Sequence, residues 1–409
     1  MKEMAAEVSY DLFSPGVRAC PHFTSAAMRS GAPLYRLTTP TGQPLWYVTR
    51  YQDVAALLRD KRLVNDMRSA LTAEELARLP VPAPSHRFLT NHMLHADPPR
   101  HTRLRSLVGK AFSPQRIHKL APRISELAEA LLDEVAPRGE MDLIADFAFP
   151  LPITVICELL AVPAADRFRF RDWSTLIVSA SQMTRDADVQ RVAPELASFA
   201  AYLREIIAAR RAAPGDDLLS ALIGMQEAGD VLSEEELCSM VVLLLVAGHE
   251  TTVHLIGNSL LTLWQHPQQL ARLRQDPALI ETAVEELLRY ESPVETANRR
   301  WAREEIQLHG QTIGRSDLVI LVLTSANRDE ARFAGAETLD LSRAPNEHLA
   351  FGLGIHHCLG APLARLEGKI ALGALLRRFP QLQPAVSLAE LQWIRSYFLR
   401  GVTRLPVRF

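Results

Sequence analysis

One segment gathers residue types that together could hold a reactive group. Phe351-Gly352-Leu353-Gly354-Ile355-His356-His357-Cys358-Leu359-Gly360 sets a single cysteine after two glycines and just ahead of a helix-forming run. Glycines let a backbone approach a flat cofactor closely, and a thiolate at a helix N-terminus is stabilised by the positive dipole end and nearby N–H groups. Cys358 is therefore expected to stay ionised and to act as a ligand. A second group, Ala247-Gly248-His249-Glu250-Thr251-Thr252, sets an acid beside an alcohol behind two small residues that open space. The Thr251 hydroxyl can bond a carbonyl one turn back and distort a helix, leaving a groove. Glu286-Leu-Leu-Arg289 is an E-x-x-R whose members share a helical face and can pair. In Asp97-Pro98-Pro99-Arg100-His101-Thr102-Arg103-Leu104-Arg105, His101 and Arg105 share a face at i, i+4, and Arg299-Arg300-Trp301-Ala302 adds two more cations. These are donors suited to an anion.

Elements must carry these groups to one place. Ser233-Glu-Glu-Glu236 is a capping box that starts a long apolar helix. The helix is expected to run through the 243–246 block and past Gly257 to about residue 265, stopped by Pro267. That is about nine turns, enough to cross a domain. Helices are also predicted over 51–59, 114–135, 151–160, 166–181, 192–212, 277–290 and 362–379. β-prone runs fall at 34–37 and 45–49, around the turn Pro40-Thr41-Gly42, and again at 306–308 and 318–323. Residues 65–94, with Pro80, Pro82 and Pro84, read as a long loop of the kind that lines a binding site.

The chain has 409 residues, 48% hydrophobic and 22% charged, which suits an ordinary globular protein. Its 45 basic and 47 acidic residues give a net charge of −2, and no basic arm points to nucleic acid. The first ten residues carry Lys2, Glu3 and Glu7 and lack an apolar leader. The longest apolar run, 240–248, is about half of the roughly 20 residues a membrane span needs. A soluble, cytoplasmic protein is expected. Four cysteines at positions 20, 157, 238 and 358, without C-x-x-C pairing, suit a reducing compartment. Cys157 and Cys238 read as small buried thiols. No linker is evident, so one large α-rich domain is expected over 1–409, with a β-rich portion at about 30–50 and a helical core at about 95–380.

Every fixed position of the pattern F-G-x-G-x-H-x-C-x-G is present, and the other motifs follow in order over nearly the whole chain. The sequence thereby resembles the cytochromes P450, haem-thiolate monooxygenases. The resemblance implies a mainly α fold with small β-sheets, haem b (iron protoporphyrin IX) as cofactor and Cys358 as axial ligand of its iron. A cysteine thiolate on haem iron favours cleavage of the O–O bond. Phe351, Gly352, Gly360, Ala247 and Gly248 would lie against the macrocycle. His101, Arg105, His356 and Arg300, rather than Arg299, would hold its propionates. Glu250 and Thr251 would deliver the two protons that release one oxygen atom as water. Glu286, Arg289 and Arg343 would lock the proximal core, although residues 333–343 lack the family's usual proline and second phenylalanine.

The same resemblance lines a substrate pocket with Leu94, Leu243, Val246, Ala247, Val294, Ala297, Phe398 and Leu399, apolar enough for a medium to large apolar substrate. Thr282 to Tyr290, Ala326-Asn-Arg-Asp329 and Phe398-Leu-Arg-Gly401 are similar to bacterial hydroxylases that tailor macrolides and polyketides, the bacillaene type among them. The expected reaction inserts one atom of O2 into a C–H or C=C bond of such a compound, free or held on a carrier protein. A steroid, terpene or fatty acid is the alternative substrate. The chain has no flavin-binding or ferredoxin-like cysteine segment, so electrons from NAD(P)H are expected through a ferredoxin and a ferredoxin reductase. They would dock on the thiolate side, where Arg103, Arg365 and Lys369 offer positive charge. A monomer is expected. A non-catalytic haem sensor or electron carrier would not need the Glu250-Thr251 pair, and a peroxygenase typically replaces it.

Overall fold

The computed structural model describes residues 16–17, 20–38, 44–79, 88–166, 169–170, 172–174, 176–177, 186–227, 232–394, 396 and 398–409. The first ten residues, the 40–42 turn and the three prolines at 80, 82 and 84 lie outside this set, as does much of the helix predicted over 166–181.

The helix Glu234–Gln265 organises the rest. Its capping box closes in both directions: Ser233 Oγ accepts from the Glu236 N–H at 3.1 Å and Glu236 Oε2 accepts from the Ser233 N–H at 3.0 Å. The helix is apolar on nearly all sides, which places it in the core. It is long and apolar enough to cross a membrane, but most of that stretch is buried within the protein. Helices Pro150–Leu159, Asp186–Ala212, Ile280–Tyr290 and Ala361–Arg378 pack around it.

Several sequence expectations need correction. The helix predicted over 114–135 is two, Pro114–His118 and Ala121–Val135, because Pro122 cannot donate back to the preceding turn. The one predicted from 277 opens with a tight turn, Pro277–Leu279, before Ile280–Tyr290. Residues 65–94 are not all loop. Met67–Ala70 is a turn capped by Asp66, Ala73–Arg78 is a helix with a Thr72/Glu75 capping box, and Met93–His95 is a further turn.

The described strands are β1 (Leu34–Thr38), β2 (Pro44–Val48), β3 (Leu63–Val64), β4 (Glu140–Asp142), β5 (Arg300–Ala302), β6 (Ile306–Leu308), β7 (Gln311–Ile313), β8 (Leu318–Leu321), β9 (Gln383–Pro384) and β10 (Pro406–Arg408). One sheet has the order β1-β2-β8-β5-β3; β4-β10-β9 and β6-β7 form two smaller ones. β2 and β8 pair in parallel, Leu45 opposite Leu318, so the N-terminal hairpin is sewn to a segment far along the chain. One apolar cluster lies among the helices and a second around the large sheet, where Trp46, Val48, Val54, Val319 and Leu321 meet.

Candidate active site

Cys358 sits in the loop that leads into the helix Ala361–Arg378, and its N–H donates to the Phe351 carbonyl at 2.9 Å. The two loop glycines adopt left-handed backbone, φ +67° at Gly352 and +77° at Gly354, which side chains rarely tolerate. Gly354 does not face a cofactor. A Cβ there would come within 3.0 Å of the Leu58 carbonyl oxygen, so its smallness serves a backbone contact. Beside Gly352 a Cβ would meet nothing within 4 Å, as a surface left open to a flat group requires. Burial pushes the Cys358 thiol up, opposed by the N–H groups of Gly360 and Ala361 and by the Arg105 charge. Yet the residue is accessible to water. A side chain both desolvated and accessible opens onto an internal hollow.

Ala247 has the same character, accessible in the middle of an otherwise buried helix. Gly248 does not share it. A Cβ at 248 would lie 3.1 Å from Ile156, so that glycine lets the helix Pro150–Leu159 approach rather than opening space. Successive helical residues point about 100° apart, so one of the two small residues faces the hollow and the other a neighbouring helix. Thr251 Oγ1 donates to the Ala247 carbonyl at 3.0 Å, the back-bond expected, and the helix runs through it without a break. Burial pushes the Glu250 carboxyl up to about 7, with Ser174 opposing the rise.

The rings of His101 and His356 lie tilted against each other with centroids 4.2 Å apart. Both ring nitrogens of His101, Nε2 of His356 and Nε of Arg300 are buried without a partner among the described residues. Arg300 is buried on β5 while Arg299 is exposed, in keeping with the choice between them. Burial and the neighbouring cations push His356 down to about 2 and His101 below its ordinary value. Arg105 points instead to the His357 carbonyl at 2.7 Å and acts on the Cys358 sulfur. Asp97, which the spacing did not single out as a contributor, uses both carboxylate oxygens on the Asn65 and Asp66 N–H groups, at 2.9 and 3.0 Å. Donors left orphaned in a buried, cation-rich corner are what anionic propionates would satisfy. Together with the accessible yet desolvated Cys358, they fit haem. Cys358 would hold its iron.

Glu286 and Arg289 are fully buried and paired through both oxygens at 2.8 Å. Arg343 Nε joins Glu286 at 3.1 Å, and Asn346 Nδ2 donates to the same carboxylate at 3.1 Å. Arg289 also donates to the carbonyls of Asn327, Ala336 and Thr338, and its guanidinium lies 5.4 Å from the Phe333 ring. The segment without the usual proline is thus held by carbonyl contacts. Asn346 was missed because nothing in its spacing marks it.

Of the pocket residues, Leu94, Leu243 and Val246 belong to the helical cluster, and Val294 and Ala297 pack on the sheet cluster. Val294 pairs with Leu399, and the Glu295 N–H donates to the Phe398 carbonyl at 2.8 Å, so two of the predicted pocket segments meet. Phe398 is 39% exposed. The cations assigned to docking are less free than expected: Arg103 pairs with Glu236 at 2.5 Å, Arg365 with Glu285 at 2.7 Å and Lys369 with Glu281.

A family model described as Cytochrome P450 matches residues 189–388. The chain is 46% identical over 364 residues to "Polyketide biosynthesis cytochrome P450 PksS" of Bacillus subtilis (strain 168), covering 89% of each. Among solved structures, myxobacterial cytochrome P450 CYP267B1 in complex with myristic acid superposes with a TM-score of 0.91 at 46% identity, covering 97% of this chain and 98% of that one. P450BioI in complex with hexadec-9Z-enoic acid ligated acyl carrier protein gives 0.87 at 38% identity, covering 97% and 100%. Matched at this identity over nearly its whole length, the chain belongs to the cytochrome P450 family of monooxygenases.

Proposed function

We propose that this protein inserts one oxygen atom of O2 into a C–H or C=C bond of a polyketide or macrolide, with Cys358 as the axial thiolate of haem b. The observation that carries it is the pairing of an accessible yet enclosed Cys358 with the orphaned donors of His101, His356 and Arg300. Haem, when bound, supplies the centre at which O2 is activated by two electrons and two protons. The chain's own residues do the rest. His101, His356 and Arg300 would donate to the propionates, while Arg105 braces the cysteine loop through the His357 carbonyl. Phe351, Gly352, Gly360 and Ala247 would lie against the macrocycle. Glu250 holds a proton near neutral pH, and Thr251 stands next to it to pass protons on.

The substrate class rests on the name of the PksS relative. A carrier-bound chain is the preferred form, since P450BioI takes its acyl chain in that state. A fatty acyl chain is the second reading, favoured by the myristic acid seated in CYP267B1. Two electrons come from NAD(P)H through a ferredoxin and its reductase. The protein works as a cytoplasmic monomer of one domain. The test is a titration with macrolides, linear polyketides on a carrier, fatty acids and steroids, read by the spin-state change of the haem. A shift with polyketides at the lowest concentration supports the reading; a shift with fatty acids or steroids alone overturns it.

A further inference from the structure

The long helix carries one stripe of residues that recurs every third or fourth position, Ala247, Thr251, His254 and Asn258. Ala247 is accessible and Thr251 partly so, whereas His254 and Asn258 are buried. Seven residues return to the same face about 10 Å further along the axis, so His254 and Asn258 continue the side that Ala247 presents until it meets residues 398–402. Two contacts join helix and segment there. Asn258 Nδ2 donates to the Arg400 carbonyl at 2.9 Å. The His254 ring lies where a side chain of residue 401 would begin: a Cβ on Gly401 would come within 2.0 Å of Nδ1, 2.5 Å of Cγ and 2.8 Å of Cε1, the closest encounter at any described glycine. Gly401 is not among the glycines with positive φ, so what demands a glycine there is the ring. His254 Nδ1 has no polar partner among the described residues, and burial keeps the ring neutral, held down to about 4. The ring thus meets the segment through its bulk.

The same segment is fastened to the other residues assigned to the substrate pocket. The Arg400 N–H donates to the Pro293 carbonyl at 2.9 Å, the Glu295 N–H donates to the Phe398 carbonyl at 2.8 Å, and Leu399 pairs with Val294. Ser396 Oγ accepts from the N–H groups of Phe398 and Leu399 at 3.2 and 3.0 Å, and the Ile394 N–H donates to the Gly401 carbonyl at 2.9 Å. The Arg400 side chain is held by Glu291 and lies 3.8 Å from the centre of the Trp393 ring. A turn bonded in this way moves as one piece. We propose that His254 is a positioning residue, a spacer whose ring sets the distance between the long helix and residues 398–402 and, through Phe398 and Leu399, the width of the pocket and the size of substrate it takes. Interiors are close-packed, so a void left by the ring draws its neighbours inward. This step rests on the reading of Phe398 and Leu399 as pocket residues of the proposed oxygenase.

The test compares the affinities of imidazole and the bulkier 4-phenylimidazole for the haem-loaded ferric protein, read by the Soret shift on titration. In His254→Ala the segment should close on the helix, so 4-phenylimidazole should weaken relative to imidazole by about tenfold, the low end for one methylene of misfit in a pocket. His254→Asn, shorter but still polar, should move the ratio the same way by less, and it serves if the alanine variant does not fold. Gly401→Ala added to His254→Ala should bring the ratio back to within about twofold of the wild type, because its methyl enters the vacated place. In the wild-type background Gly401→Ala should instead lower the urea midpoint. A ratio unmoved by both His254 variants, or a shift that Gly401→Ala does not reverse, overturns the proposal. Phe398→Ala separates the two levels. If it moves the ratio while the His254 variants do not, the pocket reading stands and the spacer fails; if none of them moves it, the pocket reading fails and takes the spacer with it.

Discussion

Glu250 and Thr251 are adjacent in the chain but bring different assets to the hollow, one a desolvated acid and the other a hydroxyl whose hydrogen is tied to Ala247. Thr251→Ala should leave substrate binding within about twofold while lowering product formed per NADPH by roughly tenfold, the lower range for losing a proton-transfer group, with peroxide rising in step. Unchanged product per NADPH would remove Thr251 from proton delivery. Arg300→Leu should weaken haem retention by about 2 kcal/mol, the scale of a hydrogen bond to a charged group, measured as the rate of haem transfer to apomyoglobin. Cys358, Glu250 and Thr251 were legible because each belongs to a contiguous motif. His101 and Arg300 needed the family resemblance. Ser174, Asp97 and Asn346 were not legible, since each finds its partner through tertiary packing 31 to 75 residues away.

At the scale of elements, the buried Glu286-Arg289 pair couples the helix Ile280–Tyr290 to the segment that leads into the cysteine loop, through Arg343, Asn346 and the carbonyls of 336 and 338. Arg289→Met should cost about 3 kcal/mol, because it takes the two-pronged partner from a fully buried carboxylate and leaves it only Arg343, Asn346 and a backbone N–H, and the protein should accumulate without haem. Glu286→Gln/Arg289→Met should recover part of that stability, measured by denaturant unfolding. The long helix was legible almost to the residue, since a capping box opens it and a proline closes it. Of the short strands, β6 and β8 fall on predicted β-prone runs, but others were not legible. Segments of two or three residues, such as β3, β5 and β9, show no period and exist only through partners distant in sequence.

For the molecule as a whole, two buried acids set a slope of stability against pH. Burial raises Glu367 from 4.5 to about 8 and Glu250 from 4.5 to about 7. A carboxyl whose folded value is raised contributes stability that is full below its unfolded value and lost as pH rises through the folded one. Stability should therefore decline as pH rises from about 4.5 to about 8. Glu367→Gln should flatten that decline by at least about 1 kcal/mol, since a tenfold difference in proton affinity between the folded and unfolded chain is worth about 1.4 kcal/mol, as followed by urea unfolding at each pH. A slope equal to the wild type's would mean that Glu367 titrates unperturbed. The buried histidines act at the other end: His249 and His254 are held down to about 4, so their contribution is present above 6.5 and lost as pH falls.

The helical character and the place of the chemistry could be read from motif order, while the sewing of the N-terminal hairpin to β8 could not, because it depends on pairing across more than 270 residues. All of these scales meet at the cysteine loop. The absorption spectrum of the reduced, haem-loaded protein under carbon monoxide, recorded beside Cys358→Ser, tests the thiolate most directly. The wild type is predicted to show the red-shifted Soret band that gives the family its name, and the variant to lose it. A variant that keeps the red-shifted band, or a freshly prepared wild type that lacks it, would contradict the assignment of Cys358 as the haem ligand.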